Sequence, residues 1–211
     1  MNLSEFHTEY KFKSLDEKAV SSSPIEQFAA WFNKAVNASI QYPNAMTLAT
    51  ASKDGVPSGR IVLLKSYDEN GFVFFSNYES KKGVQLSENP HAALLFFWQQ
   101  LERQVRITGN VEKLPESESD KYFSTRLPES QLSALASPQS KEIRDRAFLI
   151  ARINELKLKY TNKPIPRPSQ WGGYILKPYA FEFWQGRENR LHDRIEYLLD
   201  GNEWKIRRLA P

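Results

Sequence analysis

Basic side chains mark three places in the sequence where an anion could bind. Arg60 and Lys65 stand at the two ends of the apolar run Ile-Val-Leu-Leu, and Ser80–Lys82 stands at the expected start of a helix. The third place is Arg190–Arg194, near the C-terminus. Guanidinium and ammonium groups form strong charge-assisted hydrogen bonds with phosphate and carboxylate oxygens. Binding of small anions is therefore the chemistry that these residues favour.

The spacing of Arg60 and Lys65 limits what they can do together. Five residues on an extended strand span roughly 16–17 Å at about 3.3 Å per residue. The two side chains could hold two different anions at opposite ends of one strand, or they could be the solvent-facing ends of a core strand. At Ser80–Lys82, backbone donors and the helix dipole would favour a phosphate, which makes this helix start a further anion-site candidate.

The C-terminal cluster depends on its secondary structure. On a strand, side chains 190, 192 and 194 would project from one face, while Leu191 and Ile195 would line the other. On a helix, His192 would turn about 200° away from Arg190, and the cluster would disperse. A solvated strand face that is partly neutralised by neighbouring carboxylates is the alternative interpretation. The spacing alone leaves both interpretations open.

Composition excludes several other kinds of chemistry. The 211 residues contain no Cys, which excludes disulfides, thiolate nucleophiles and iron–sulfur clusters. The three His lack the spacing of a metal site, so no metal is expected. The net charge is +4, from 29 basic and 25 acidic residues, and acidic residues are interleaved with the basic ones near the C-terminus. This distribution favours small anions over a nucleic acid.

Length and hydrophobic pattern favour a single intracellular domain. At roughly 150 residues per domain, residues 1–211 are expected to form one domain. The longest wholly apolar run, Ala92–Trp98, is far shorter than the roughly 20 residues of a membrane helix. Residues 1–18 lack a signal-peptide core. We therefore expect a soluble protein in the reducing cytoplasm.

Short β-type runs separated by turn sequences predict most of the fold. A capping box at Ser23–Glu26 predicts a helix over Pro24–Ile40. Further helices are expected over Ser80–Asn89, Pro115–Arg126 and Ser140–Tyr160. Strands are expected over Met46–Ala51, Gly59–Ser66, Phe72–Asn77, Ala92–Gln99, Arg103–Glu112, Trp171–Leu176, Ala180–Trp184, Leu191–Leu199 and Trp204–Arg207. Hairpin connections dominate, so we predict a mainly β protein, an antiparallel barrel or strongly curled sheet with flanking helices.

The string Glu182-Phe-Trp-Gln185, followed after four residues by Arg190-Leu-His-Asp-Arg194, resembles the C-terminal signature of the pyridoxamine 5′-phosphate oxidase family. The resemblance extends over about residues 45–211 and includes Arg60–Lys65, Leu101–Val105, Lys121–Arg126, Gln139-Ser140, Trp171–Gly173 and Arg208–Pro211. It implies a split β-barrel homodimer with FMN at the subunit interface. The sequence has no glycine-rich nucleotide motif, so side-chain cations would hold the cofactor.

The resemblance also implies a reaction and a set of site residues. The family oxidises pyridoxamine 5′-phosphate and pyridoxine 5′-phosphate to pyridoxal 5′-phosphate with dioxygen, giving hydrogen peroxide and, from the amine, ammonia. The residues expected to bind FMN are Arg60, Ile61, Val62, Leu63, Leu64, Lys65, Phe75, Ser76, Lys81, Lys82, Gln104, Gln139, Ser140, Trp184 and Arg194. Those expected to bind substrate are Glu9, Tyr10, Lys65, Tyr122, Arg126, Ser130, Arg190 and His192, and the last two are the expected catalytic residues.

One departure from the family pattern and two alternatives remain. Residues 1–22 are expected to form a flexible lid or tail, but His7-Thr8 stands where the family commonly has two arginines. The first alternative is a split-barrel flavoprotein with a different substrate. The second is a basic barrel that binds single-stranded nucleic acid by stacking bases on Phe72, Phe74 and Trp98.

Overall fold

The computed structural model describes Tyr10 and residues 14–211, which form an antiparallel β structure with flanking helices. The strands in these ranges are β1 (Ala45–Ala51), β2 (Pro57–Leu63), β3 (Ser66–Asp68), β4 (Gly71–Asn77), β5 (His91–Trp98), β6 (Arg103–Lys113), β7 (Trp171–Gln185), β8 (Asp193–Asp200) and β9 (Glu203–Leu209). The helices are α1 (Pro24–Asn37), α2 (Lys81–Glu88), α3 (Glu116–Ser124), α4 (Pro128–Ala136) and α5 (Arg146–Lys159). None of these helices is both long and apolar enough to cross a membrane.

The strands form one curled sheet that branches at β7. The order is β2-β1-β5-β6-β7-β4-β3, and β8 pairs with β7 and β9. Along one edge of β7, residues 171–176 pair with β4 and residue 177 lies beyond its end. Residues 180–185 on the same edge pair with β8. The sequence predicts two strands here, but β7 is continuous through Pro178. The register shift in β6 next to Gly109 falls opposite this proline, which cannot donate a hydrogen bond.

The core is built from aromatic side chains between α1 and the sheet. Ser23 caps α1 as predicted, and Phe28 is fully buried against Phe72 and Phe96, with ring centroids 5.0 and 5.1 Å away. Phe72 and Phe74 have no exposed surface, and Trp98 is 1% exposed. These rings are core residues, so they are not available to stack nucleic-acid bases.

Between residues 126 and 160, the structure differs from the predicted helices in two ways. Helix α4 was not predicted, because its N-terminal Leu127 offers no capping side chain and the helix begins directly at Pro128. Helix α5 begins at Arg146 instead of Ser140. Ser140 has a left-handed backbone (φ 71°), and the Asp145 carboxylate caps the helix by accepting from the Phe148 amide at 2.8 Å.

Gly83 allows the first turn of α2 to approach the preceding loop. A Cβ at this position would lie 2.1 Å from the Tyr78 carbonyl oxygen, which is backbone and cannot rotate away. We expect Gly83→Ala to lower the free energy of unfolding by about 1–3 kcal/mol, measured by urea denaturation. The neighbouring exposed residue provides the control, since Val84→Ala should change it by less than about 0.5 kcal/mol. Equal losses in the two variants would contradict this explanation.

Candidate active site

A cavity of about 780 Å³ opens beside β2, β4 and the start of α2. This volume lies within the range of small-molecule and cofactor sites. Its lining residues are Arg60, Ile61, Val62, Leu63, Lys65, Phe75, Ser76, Asn77, Lys81, Lys82, Tyr122, Arg126, Leu127, Ser130, Gln139, Ser140 and Trp171. Apart from Asn77, Leu127 and Trp171, all of them belong to the set predicted from the sequence.

The cavity is strongly cationic. Its lining includes Arg60, Lys65, Lys81, Lys82 and Arg126, and no Asp or Glu. Within the described ranges, none of these five side chains lies within 4 Å of a carboxylate oxygen. Clusters of metal-ligating side chains are also absent from that part of the chain. Unpaired cations in a concave, partly buried site require anionic ligands to compensate them.

Lys82 lies at the buried end of this cavity, in the first turn of α2. Its ammonium group is 3.0 Å from Ser76 Oγ, 3.1 Å from Ser80 Oγ and 3.3 Å from Gln139 Oε1. Burial, together with the nearby charge of Arg60, lowers the pKa of Lys82 to about 8. The Lys82 ammonium group is thus surrounded by neutral acceptors, and no carboxylate among the described residues balances its charge. This arrangement favours the binding of an anion.

Arg60 is fixed by the backbone of the strands that carry it. Its Nη1 donates to the Leu48 carbonyl (3.0 Å), Thr50 Oγ1 (2.6 Å) and the Ser58 carbonyl (3.2 Å). Burial lowers the pKa of the Arg60 guanidinium. The neighbouring Lys65 follows the end of β2, and its amide bonds to Val73. The two cations line one cavity, but they do not stand on a single strand as predicted.

Arg126 lines the cavity together with Lys65 and carries a hydrogen-bond donor without a partner among the described residues. Its guanidinium stacks 4.6 Å from the Trp171 ring centroid and 5.6 Å from that of Phe123. Its Nη1 is buried and has no hydrogen-bond partner in the described part of the chain. A buried unpaired donor costs about 1–3 kcal/mol, so a ligand acceptor here would gain this amount. Lys65 Nζ, 6.0 Å from the Tyr122 ring, adds a second cation nearby.

Three aromatic rings form a stacked wall of the cavity. The rings of Phe75 and Tyr122 are 3.8 Å apart at their centroids with an angle of 20° between their planes. Trp171 lies nearly parallel to both, at 15° to Phe75 and 7° to Tyr122. The cavity therefore combines flat apolar surface with separate groups of cations, which suits ligands that carry both a ring and a phosphate.

Several predicted site residues lie outside this cavity. Leu64 is 4% exposed and belongs to the hydrophobic core. Gln104 lies opposite Trp184 in the β6–β7 ladder, and Trp184 contacts Tyr10 and His192, with centroids 5.5 and 4.7 Å away. Within one chain, these residues form a second cluster away from the cavity lining. Glu9 and the pair His7-Thr8 lie outside the described residues.

The strand predicted over Leu191–Leu199 begins two residues later than expected, and residue 190 precedes it in a turn. Residues 188–190 form a turn, with φ of 55° at Asn189 and 59° at Arg190, and β8 begins at Asp193. Arg190 and His192 therefore do not share a strand face with Arg194. Arg194 is instead bound by the buried Glu182, with its Nε and Nη2 each 3.0 Å from a carboxylate oxygen. The turn exposes Arg190 to solvent.

His192 is held in one tautomer. Its Nδ1 accepts a hydrogen bond of 3.1 Å from the Arg187 amide, so the neutral ring carries its proton on Nε2. Burial and the charge of Arg190 lower the pKa of His192. Both effects favour the neutral ring near pH 7 and leave Nε2–H as a donor.

Ligand affinity at the Lys82 end should depend on pH. A bound dianion stabilises the ammonium form and raises its pKa above the free value of about 8. Above pH 8, Lys82 of the free protein loses its proton, and binding of the anion must take this proton up again. The affinity should therefore fall as the pH rises through 8, by up to about tenfold per pH unit. We expect the dissociation constant of inorganic phosphate, measured by calorimetry from pH 7.5 to 10, to show this rise. Lys82→Met should flatten the profile, whereas a flat wild-type profile would contradict the assignment.

The fold is that of a split-barrel protein, and its cavity is lined by basic side chains and stacked aromatic rings. Residues 32–160 match the family model described as "Pyridoxamine 5'-phosphate oxidase". Residues 171–211 match the one described as "Pyridoxine 5'-phosphate oxidase C-terminal dimerisation region". The chain belongs to the pyridoxine/pyridoxamine 5′-phosphate oxidase family, an oxidoreductase family, and it carries the region through which the family dimerises.

Full-length relatives agree with this membership. The chain is 54% identical over 212 residues to the pyridoxine/pyridoxamine 5′-phosphate oxidase of Bordetella pertussis, covering 100% of both chains. It is 52% identical to the enzyme of the same name from Salinibacter ruber, covering 99% of both. These matches confirm the family that the signature indicated.

Two solved structures resemble the fold. PhzG from Burkholderia lata, in complex with tetrahydrophenazine-1-carboxylic acid, is 35% identical, with a TM-score of 0.90 over 97% of this chain and 100% of that one. A pyridoxamine 5′-phosphate oxidase-related, FMN binding protein from Nostoc punctiforme is 17% identical, with a TM-score of 0.70 over 91% of this chain and 100% of that one. The expected split-barrel fold is confirmed.

Sequence reasoning missed residues that support the site. Trp171 lies in Trp171–Gly173, one of the stretches that resemble the family. The resemblance could therefore have indicated its place beside Arg126. Glu182, which binds Arg194, was visible in the same way within the C-terminal signature. Thr50, which accepts from Arg60, had none, because a lone Thr within a strand looks like any other strand residue.

Proposed function

We propose that this protein oxidises pyridoxamine 5′-phosphate and pyridoxine 5′-phosphate to pyridoxal 5′-phosphate, with FMN as cofactor and dioxygen as electron acceptor. The observation that supports this function most directly is the cavity, which has five unpaired cations, no acidic lining residue and a stacked aromatic wall. Two phosphate monoesters would bring about −3 to −4 of charge. This amount is close to what the five cations can compensate.

The donors around Lys82 fit the phosphate and ribityl chain of FMN. Arg60, Lys81 and Lys82 supply charge, while Ser76, Gln139 and Ser140 supply neutral polar groups. Lys82 stands in the first turn of α2, where backbone N–H groups also favour a phosphate. When bound, FMN supplies the two-electron chemistry that takes hydride from the substrate and passes electrons to dioxygen.

The donors around Arg126 fit the phosphate of the substrate. The buried Nη1 of Arg126 lacks an acceptor, and Lys65, Tyr122 and Ser130 line the same cavity. Binding the phosphate here would fix one end of the substrate and so orient its pyridine ring. The protein would then contribute orientation in addition to charge. The aromatic wall would exclude water from the ring.

A second copy of the chain would complete the site. Gln104, Trp184 and Arg194 do not line the cavity of their own subunit, and the last two lie in the dimerisation region. At the cavity, Ile61 is 65% exposed and Leu63 is 38% exposed, which is apolar surface that a partner would cover. We therefore place FMN at the interface of a homodimer, with the C-terminal cluster of one subunit over the cavity of the other.

Arg190 and His192 would then meet the substrate from the partner side. A neutral His192 with a proton on Nε2 can donate a hydrogen bond to the substrate while Nδ1 stays fixed. Arg190 would add positive charge beside the reacting ring. These two residues would position the ring and stabilise charge that develops on it.

The likeness to PhzG favours a second candidate, oxidation of a carboxylated tricyclic compound like the one in that complex. Curated relatives of about 50% identity over the whole chain support the phosphorylated substrate instead. The unpaired donor of Arg126, with Lys65 nearby, also suits a dianionic phosphate better than a single carboxylate.

A direct assay separates these candidates. Protein with added FMN is incubated with pyridoxamine 5′-phosphate, and pyridoxal 5′-phosphate and hydrogen peroxide are measured. Unphosphorylated pyridoxamine is the matched control, and its kcat/KM should be lower by at least about tenfold, from loss of charged contacts. Equal kcat/KM values would contradict the phosphate assignment. Absence of pyridoxal 5′-phosphate would contradict the proposed reaction.

A further inference from the structure

Asp193 lies between two predicted site residues, His192 and Arg194, but its own carboxylate points into a network of other donors. Its Oδ2 accepts from the Leu15 amide and from Arg187 Nη1, each at 3.0 Å, and its Oδ1 accepts from Arg208 Nη1 at 2.8 Å. The Asp193 side chain is only 15% exposed. Asp193 therefore joins the start of the described chain, the 186–192 turn and the last strand.

Arg208 closes this network around the N-terminal segment. Its Nε and Nη2 donate to the Glu17 carboxylate at 3.0 and 2.5 Å, and its Nη2 also donates to the Leu15 carbonyl at 3.0 Å. The Leu15 side chain is 7% exposed and packs in the core. Both backbone polar groups of Leu15 are therefore bound by residues of β8 and β9.

Tyr10 packs on residues next to this network. Tyr10 is five residues before Leu15, and its ring is 5.5 Å from the centroids of Trp184 and His192. A Cβ at residue 186 would lie 2.7 Å from the Tyr10 ring, so Gly186 makes room for it. Tyr10 therefore packs against the ring of His192.

The Asp193 carboxylate holds the other group that contacts His192. The Arg187 amide donates to His192 Nδ1, while the Arg187 side chain is bound by Asp193. Asp193 therefore fixes the backbone that sets the His192 tautomer. It lies outside the cavity lining, so it acts through these neighbours.

We propose that Asp193 is a positioning residue for the oxidation: through the Arg187 side chain it fixes the backbone that orients His192, and its own bonds to the Leu15 amide and to Arg208 keep the carboxylate in place. The role rests on the proposed function, in which His192 meets the substrate. It requires a carboxylate at position 193, because all three partners are donors and an amide nitrogen would face at least one of them.

Asp193→Asn in the holoenzyme tests this role. We expect kcat to fall about tenfold, the scale of a lost charged hydrogen bond, while KM changes less than about threefold and FMN stays bound. The Leu15 amide should exchange hydrogen at least about tenfold faster, followed by mass spectrometry of the peptide that contains it. The matched control is Asp200→Asn at the other end of β8, where Asp200 pairs with the exposed Lys205, and both readouts should stay at wild-type values.

Glu17→Gln keeps the test valid if Asp193→Asn folds poorly. Glu17 is 45% exposed and binds only the Arg208 corner of the network among the described residues, so this variant should fold and show the same changes with smaller size. Arg208→Lys should not preserve function, since one ammonium cannot reach acceptors in three directions.

The outcomes separate this role from the proposed function. Wild-type protein that makes no pyridoxal 5′-phosphate would overturn the proposed function and, with it, the positioning role. An active wild type whose Asp193→Asn and Glu17→Gln variants keep kcat and Leu15 exchange unchanged would overturn the positioning role alone. Faster exchange with unchanged kcat would also overturn it, because the network would then be structural.

Discussion

Replacing Arg60 by alanine should raise the dissociation constant of FMN by about 10- to 100-fold, the loss of one charged contact of about 1.5–3 kcal/mol. The Arg60 side chain is held by three Nη1 hydrogen bonds of 2.6–3.2 Å to residues of β1 and β2. Because the side chain is already ordered, little entropy is lost when an anion binds. Fluorescence titration of the cofactor-free protein with FMN measures the change.

The conservative variant tests geometry separately from charge. Arg60→Lys keeps a positive charge but cannot make the same fork of hydrogen bonds, so its FMN affinity should be intermediate. Arg144→Ala is the control, because Arg144 pairs with Asp145 on the surface and is 80% exposed. An FMN affinity of Arg60→Ala within about threefold of wild type would show that this cation does not hold the cofactor.

Removing Arg126 should instead weaken substrate binding and spare the cofactor. We expect Arg126→Ala to raise KM for pyridoxamine 5′-phosphate by about 10- to 100-fold, with kcat changed little, because a phosphate contact acts equally on ground and transition states. The buried Nη1 has no partner among the described residues, so the substitution breaks no internal hydrogen bond of that atom. Steady-state kinetics and FMN titration measure the two effects.

The unphosphorylated substrate is the internal control for Arg126. Kinetics with pyridoxamine should be nearly the same in wild type and in Arg126→Ala, since neither complex has a phosphate to bind. A similar loss with both substrates would mean that Arg126 supports the cavity through its stacking on Trp171 instead of binding the phosphate. Loss of FMN in this variant would reverse the assignment of the two anions.

Local patterns in the sequence predicted most of the helices and strands, and the family resemblance predicted most of the cavity lining. Ser23 predicted the cap of α1, and short β-type runs between turn sequences predicted the strands, because these signals depend on neighbours within a few residues. Ser80–Lys82 was correctly expected at a helix start. The wider family resemblance then supplied the lining residues other than Asn77, Leu127 and Trp171, including Arg60 and Arg126.

Contacts between distant parts of the chain could be decided only by the tertiary structure. The branching of the sheet at β7 depends on β4 and β8 sharing one edge, and no local pattern near Pro178 encodes which strands come to pair there. The left-handed backbone at Arg190 places this residue and His192 before β8, and the sequence does not reveal this because backbone φ at a non-glycine residue is set by its surroundings. Asp193 meets Leu15 across 178 positions, and a carboxylate in a sequence does not reveal which donors the fold will bring to it.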